Sequence, residues 1–253
     1  MPETDKGLLR LWDVPVAFAL LSRLPVPHPP DAAFARQARG AWAFPLVGIV
    51  IGGLSLTVAS LAMMLGLPAL IAAGLALGTQ MALTGAMHED GLADTVDGLW
   101  GGWTVERRLE IMKDSHIGTY GVLALILSFG LRWVTLATVL ITLPAGLVVA
   151  STLSRAGLPA LMTALPQARA SGLSHRVGVP GWPASAIALG LALFFGFFTA
   201  GLLILPALIL TGAAMAGVGL VAKVRIGGQT GDILGAAQQV GEIACLLTLL
   251  VLA

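Results

Sequence analysis

Residues 88 to 98 read HEDGLADTVDG and hold His88, Glu89, Asp90, Asp94 and Asp97. Asp90, Asp94 and Asp97 are spaced i, i+4, i+7, which on a helix puts them within about 60° of arc, on one face. Like charges so placed repel. Cations would offset that cost. Hard divalent ions such as Mg²⁺ take oxygen ligands and keep positions open for phosphate oxygens. Asp90, Asp94 and Asp97 are therefore candidate metal ligands, with Asp94 or Asp97 as the candidate base. Glu89 points off that face, and His88 suits a ligand, a base or an interface marker equally. Gly91 and Gly98 leave backbone room for a bulky ligand.

Three further stretches could serve the same chemistry. RRLEIMKDSHIGTYG, Arg107 to Gly121, supplies Lys113 as a phosphate-binding cation and Asp114 as a fourth candidate metal-binding carboxylate. Its basic residues could equally be membrane-edge anchors, and Asp114 a helix or turn cap. Gly118, Tyr120 and Gly121 mark a tight re-entry into the next apolar run, with Tyr120 placed beside the substrate. GGQTGDILGA, Gly227 to Ala236, opens the last apolar run. Backbone N–H groups at such a helix start suit an anion, which makes Gly228 and Thr230 candidate phosphate contacts and Asp232 a candidate metal ligand. Arg225 lies just before this loop, and Arg155 stands at membrane depth, where a phosphate-binding cavity would satisfy it. Arg132 and Glu242 are also too costly to face lipid; structural pairing is expected of Arg132, and Glu242 is expected to pair with an arginine.

The elements that position these residues are set by hydropathy. The chain has 253 residues, 57% of them hydrophobic and 11% charged, with a mean hydropathy of +0.92. That composition, spread over the whole length, predicts an all-α, polytopic integral membrane bundle in one domain, 1–253, with the lipid bilayer as a partner. A net charge of +1 gives no support for a nucleic-acid partner. Apolar runs at 41–66, 67–87, 121–143, 144–165, 183–222 and 233–253 predict six to seven spans. The 183–222 run is long enough for two, with a turn near Pro206. Residues 1–40 read as a cytoplasmic or interfacial segment: an amphipathic or re-entrant stretch at 8–24, then a Pro-rich loop, with no signal peptide. Spacings such as Gly48-x3-Gly52 suit close helix packing; they permit a homo-oligomer without requiring one. Cys245 reads as a small core residue.

Loop charge gives a sidedness. The tight connections near 66–68, 143–145 and 204–206 are uncharged. The loops at 88–120, 166–182 and 223–232 are basic, as is the N-terminal segment with Lys6, Arg10, Arg23, Arg36 and Arg39. The positive-inside rule puts the N-terminus and the basic loops in the cytoplasm and the C-terminus opposite. Seven of the thirteen acidic residues fall between Glu89 and Asp114, and none between Ser115 and Gly231. The acid of the embedded part thus gathers at cytoplasmic edges. Acid, base and a cytoplasmic mouth together suit Mg²⁺-assisted diphosphate chemistry.

HEDGLADTVDGLWGG, then RRLEIMKDSHIGTYG, Ser154-Arg155 and GGQTGDILGA, preceded by LLSRLPVP (Leu20 to Pro27) and FPLVG (Phe44 to Gly48), closely resemble the cobalamin synthase family. The pieces stand in consistent order over most of the chain, and only Glu89 departs from the pattern, where an apolar residue is usual. The resemblance implies a Mg²⁺-requiring inner-membrane transferase of late vitamin B12 synthesis. It would join adenosylcobinamide-GDP to α-ribazole, or its 5′-phosphate, and release GMP. The motif is also similar to that of CDP-alcohol phosphotransferases, but Asp94 and Thr95 stand where their DGxxAR element has Ala and Arg. Two other readings are weaker. A prenyl-diphosphate transferase would need a second Asp-rich motif, and Asp232 stands nearly alone. An ion-coupled transporter would need midplane ionisable residues and repeat symmetry, whereas this acid sits at an edge.

Overall fold

A computed structural model describes residue 7 and residues 9–253. Lys6 and the first residue of the 8–24 segment fall outside the described residues. Within them the chain is helical and contains no strand. Its long helices are α3 (Phe44–Met64), α4 (Ala69–Thr84), α7 (Thr119–Thr142), α11 (Trp182–Ala200), α12 (Ile204–Ile226) and α13 (Gly231–Leu252). Shorter ones are α1 (Asp13–Leu21), α2 (Asp31–Phe34), α5 (Met87–Gly101), α6 (Val105–Ile111), α8 (Gly146–Ala156), α9 (Leu158–Ala164) and α10 (Leu173–Val177).

Five stretches are long and apolar enough to cross a membrane, six if the bent α4–α5 pair is one span. One of the five is Trp182–Ile226, 45 residues long. At 1.5 Å per residue it would reach roughly 68 Å, twice a bilayer core. It breaks between Ala200 and Ile204, where Gly201 takes φ 58°. A Cβ on Gly196 would strike Ile204, so the chain turns back tightly. The turn thus precedes Pro206, which is accommodated in the first turn of α12.

α13 and α8 form the centre of the bundle. The α8–α9 stretch and α13 are each 72% buried across their apolar windows, against 22% for Trp182–Ile226. α13 packs on α5, α7, α8 and α12, and α3 lies along α8. The expected small-residue contact is there. A Cβ on Gly48 would run into the backbone of Ser151 and Thr152, and one on Gly52 would sit 2.8 Å from the Val148 Cα. Only glycine lets α3 approach so closely. The N-terminal stretch forms α1, which buries Val16, Ala17, Phe18 and Leu21 against the bundle. Asp13 on α1 is buried too, held by Arg36 Nε at 3.1 Å and by the Trp42 indole N–H at 2.8 Å.

The largest departure from expectation is at 88–120. Its first part is no loop. α4 ends at Gly85 (φ 67°), Ala86 follows at φ 56°, and α5 leaves at 88° to α4. A non-glycine residue in the left-handed region costs about 1 kcal/mol. The bend swings Leu92, Ala93 and Leu99 into the protein interior. Hydropathy averaging hides this, because α5 mixes those apolar residues with its acid.

Candidate active site

The bend in α4–α5 sorts the residues of HEDGLADTVDG by direction. Glu89 and His88 face the bundle interior and are 8% and 2% exposed. Asp90 is exposed and Asp94 half-buried. Both line a cleft of about 340 Å³ together with Lys113, Asp114 and Ser115. Neither carboxylate has a hydrogen bond or ion pair among the described residues, so both are free to take a ligand.

Asp97 is placed differently. It is 7% exposed. Its Oδ2 accepts the N–H of Gly118 at 2.7 Å and its Oδ1 that of Gly121 at 2.8 Å. The carboxylate therefore caps the start of α7, where N–H groups lack helical partners. A Cβ on Gly118 or Gly121 would collide with it. With both oxygens so engaged, Asp97 anchors a helix, and the geometry favours Asp94 over Asp97 as base. Position i+7 shares the predicted face, but α7 folds over that end of it.

Asp114 is exposed and bonds His116 through Nδ1 at 2.7 Å and through the backbone N–H at 3.1 Å. That bond holds the Asp114 carboxyl below its usual range, and the carboxylate holds the His116 imidazole above its own. Asp232 pairs with Arg169 at 3.0 Å and accepts from the Thr230 hydroxyl at 3.2 Å. Thr230 in turn caps α13 by accepting from the Ile233 N–H. Gly228 is buried against the Pro166 carbonyl, where any Cβ would clash. Beside it the Gln229 N–H donates to the Pro166 carbonyl, and the Gln229 carbonyl accepts from the Ala168 N–H. The glycines of GGQTG thus serve a loop-to-loop contact rather than an open anion cradle. Arg169, which sequence reasoning passed over as a positive-inside residue, is the cation brought to Asp232.

Like Gly228 and Thr230, three more predicted phosphate contacts lie away from the cleft, which only Lys113 of that set lines. Arg225 is exposed on the groove of Leu99, Trp100 and Leu220, and its carbonyl accepts from Arg108. Tyr120 is half exposed and does not line the cleft. Arg155 is 2% exposed and bonds Ser151 through O and Oγ at 2.9 and 2.7 Å. It joins an interior network instead. Arg132 meets Glu89 at 3.1 Å and Glu242 at 3.6 Å, and Arg155 meets Glu242 at 3.9 Å. Gln238 donates to Glu242 at 2.7 Å and Gln239 to Glu89 at 3.2 Å. The expected pairing of Arg132 and Glu242 is thus present, and Arg155 finds its partner there instead of at a phosphate.

Among the described residues no three His, Cys, Asp or Glu side chains form a ready-made metal cage. The cleft offers two open carboxylates. That donor set fits Mg²⁺, which is commonly held by one or two carboxylates, with waters and substrate phosphates completing its coordination.

The family model described as cobalamin-5-phosphate synthase matches residues 13–250. An adenosylcobinamide-GDP ribazoletransferase of Bradyrhizobium diazoefficiens is 45% identical over 98% of this chain and 96% of its own. Proteins of the same name are similar in Brucella anthropi, at 44% over 91% of this chain and 93% of its own, and in Brucella canis, at 41% over 92% and 94%. No solved structure matches. With most of its length matched by both comparisons, this chain belongs to the cobalamin-5-phosphate synthase family and is a membrane-embedded transferase of cobalamin biosynthesis.

Proposed function

We propose that the chain joins adenosylcobinamide-GDP to α-ribazole, or its 5′-phosphate, at the Asp90–Asp94 cleft. The products are adenosylcobalamin, or its 5′-phosphate, and GMP. The observation that carries this reading is the pair of unpartnered carboxylates, one helical turn apart, facing a cleft that also holds Lys113. The names of the relatives supply the substrates.

A hydroxyl oxygen of the nucleoside bonds to the phosphorus nearer the corrinoid. The bond from that phosphorus to the bridging oxygen breaks, and GMP departs with that oxygen. The hydroxyl proton passes to Asp94, the general base. Lys113 offsets charge on the diphosphate. Asp90 and Asp94 would hold Mg²⁺, whose chemistry when bound is to neutralise the phosphate oxygens. The cleft faces the cytoplasm of a bacterial inner membrane, in keeping with the basic segments that gather at its end of the bundle.

The test is GMP release by purified protein given adenosylcobinamide-GDP, α-ribazole and Mg²⁺. The wild type should release GMP in step with cobalamin, and Asp94→Asn should not. A wild type that releases none, or an Asp94→Asn variant that matches it, overturns the reading.

A further inference from the structure

A second pocket adjoins the Asp90–Asp94 cleft, and Lys113 and Asp114 line both. Its remaining walls are Arg107, Glu110 and Ile111 of α6. It holds about 300 Å³, at the lower end of the range for small-molecule pockets, roughly 300–1,000 Å³. The backbone fixes the junction. The Lys113 N–H donates to the Glu110 carbonyl and the Asp114 N–H to the Ile111 carbonyl, each at 3.0 Å. The two shared residues therefore stand one turn beyond Glu110 and Ile111.

Arg107 and Glu110 are joined to each other. Arg107 Nη1 donates to Glu110 Oε2 at 2.7 Å, and the two side chains are 60% and 69% exposed. An exposed pair at this spacing adds little to stability. It does hold a guanidinium and a carboxylate side by side. Glu110 Oε1 accepts no hydrogen bond among the described residues, and a guanidinium has five N–H donors, of which this bond uses one. Along its edge the pair thus offers a donor followed by carboxylate acceptors.

That order selects a base. The pairing edge of guanine carries the O6 acceptor, then the N1–H and N2 amine donors, so a guanidinium beside a carboxylate complements it much as cytosine does. Adenine reverses the order. Its N6 amine would meet the guanidinium and its N1 lone pair the carboxylate, like against like. Ile111, half-buried in the same wall, gives the base an apolar surface to lie on.

We infer that this pocket holds the guanine of the leaving nucleotide, with Arg107 donating to O6 and Glu110 accepting from N1–H and the N2 amine. The inference rests on the ribazoletransferase reading, in which the diphosphate occupies the cleft beside Lys113. The guanosine then lies past Lys113, on the side away from Asp94. Arg107 and Glu110 touch no reacting atom; they set specificity for the activated corrinoid.

Glu110→Ala and Arg107→Ala, both at exposed positions, test it in the full chain. Equilibrium dialysis with GMP, IMP and AMP reads binding without turnover, and IMP differs from GMP only in lacking the N2 amine. Wild type should bind GMP about tenfold more tightly than IMP, the scale of one hydrogen bond to a charged group, and AMP more weakly than either. Glu110→Ala should bind GMP and IMP equally, whereas a merely structural role would weaken all three alike. KM for adenosylcobinamide-GDP should rise about tenfold in both variants while KM for α-ribazole moves less than twofold. Equal affinity of wild type for GMP and IMP overturns the inference. So does a preference for GMP that survives in Glu110→Ala, even where the wild type turns over. If the preference is present in wild type and lost in Glu110→Ala, yet adenosylcobinamide-GDP yields no GMP, the parent reading fails and the pocket assignment stands.

Discussion

α5 separates two clusters of charge that read alike in the sequence and differ in balance. On its inner side, Glu89 and Glu242 meet Arg132 and Arg155, two anions for two cations, with Gln238, Gln239 and Ser151 filling hydrogen-bond positions. On its outer side, Asp90 and Asp94 face a cleft with Asp114 and the single cation Lys113. The inner cluster is neutral and nearly sealed. The outer one is anionic, open and incomplete. A buried network must be paired to exist at all, since an unpaired ion in low dielectric costs several kcal/mol. An exposed excess of one sign needs no internal partner and attracts an external one. Charge balance, more than charge density, therefore separates what holds this protein together from what it acts with.

Opposite responses to neutralising one carboxylate on each side would confirm that division. Asp94→Asn should lower kcat/KM by about 10³-fold, or roughly 4 kcal/mol, the scale of a lost general base with altered metal binding. Its thermal unfolding should be unchanged or slightly raised, because like-charge repulsion is relieved. Normal turnover in a well-folded Asp94→Asn protein would remove the cleft from the mechanism. Arg132→Met should behave in reverse. It leaves Glu89 unpaired and should cost about 3 kcal/mol of stability, read by unfolding in detergent. The double variant Arg132→Met, Glu89→Leu should regain much of that loss. If the single variant is as stable as wild type, the inner network is ornamental.

How much of this was legible before the structure depends on the range of the interaction. The spans and the Gly48–Gly52 packing seam were legible, because hydropathy and small-residue spacing are local. The helical register of Asp90 and Asp94 was legible for the same reason. Asp97 shares that register, yet its engagement depends on where α7 begins, 21 residues later. Arg155 and Gly228 were misplaced similarly: Arg155 by Glu242 on another helix, Gly228 by the carbonyl of Pro166. The bend at Gly85–Ala86 left no composition signal, because alanine rarely adopts φ 56°. Arg169 was visible only as loop charge until the 166–168 and 227–229 segments were seen to touch.

Asp97 is the borderline case, an acid that belongs to neither cluster and is satisfied by backbone N–H groups. Gly121→Ala should push a methyl into its carboxylate and cost about 2 kcal/mol, typical of overpacking and of a lost cap. The loss should appear as faster hydrogen exchange at the start of α7, with activity falling in proportion to folded protein. A Gly121→Ala protein of wild-type stability that has lost Mg²⁺ dependence would instead mean that Asp97 is a ligand and moves on binding.

The smallest effect belongs to the exposed pair Asp114–His116 at the cleft rim. The raised pKa of His116 and the lowered pKa of Asp114 have one cause, the bond between them. The signs fix a window. What His116 contributes is fully present below its unfolded pKa and fades as pH rises through its folded one. What Asp114 contributes is present above its unfolded pKa and fades as pH falls through its folded one. The pair is therefore strongest in mildly acidic solution, between the two ordinary pKa values. Both groups are open to water, so salt and solvent screen it and global stability should hardly respond. The imidazole should respond. Asp114→Asn should return the His116 titration, followed by NMR, to the ordinary histidine range, and added salt should move the wild-type value the same way. A His116 pKa insensitive to both would mean that the rim carboxylate is held by something other than this imidazole. Asp114 would then belong with Asp90 and Asp94 as an open group of the cleft.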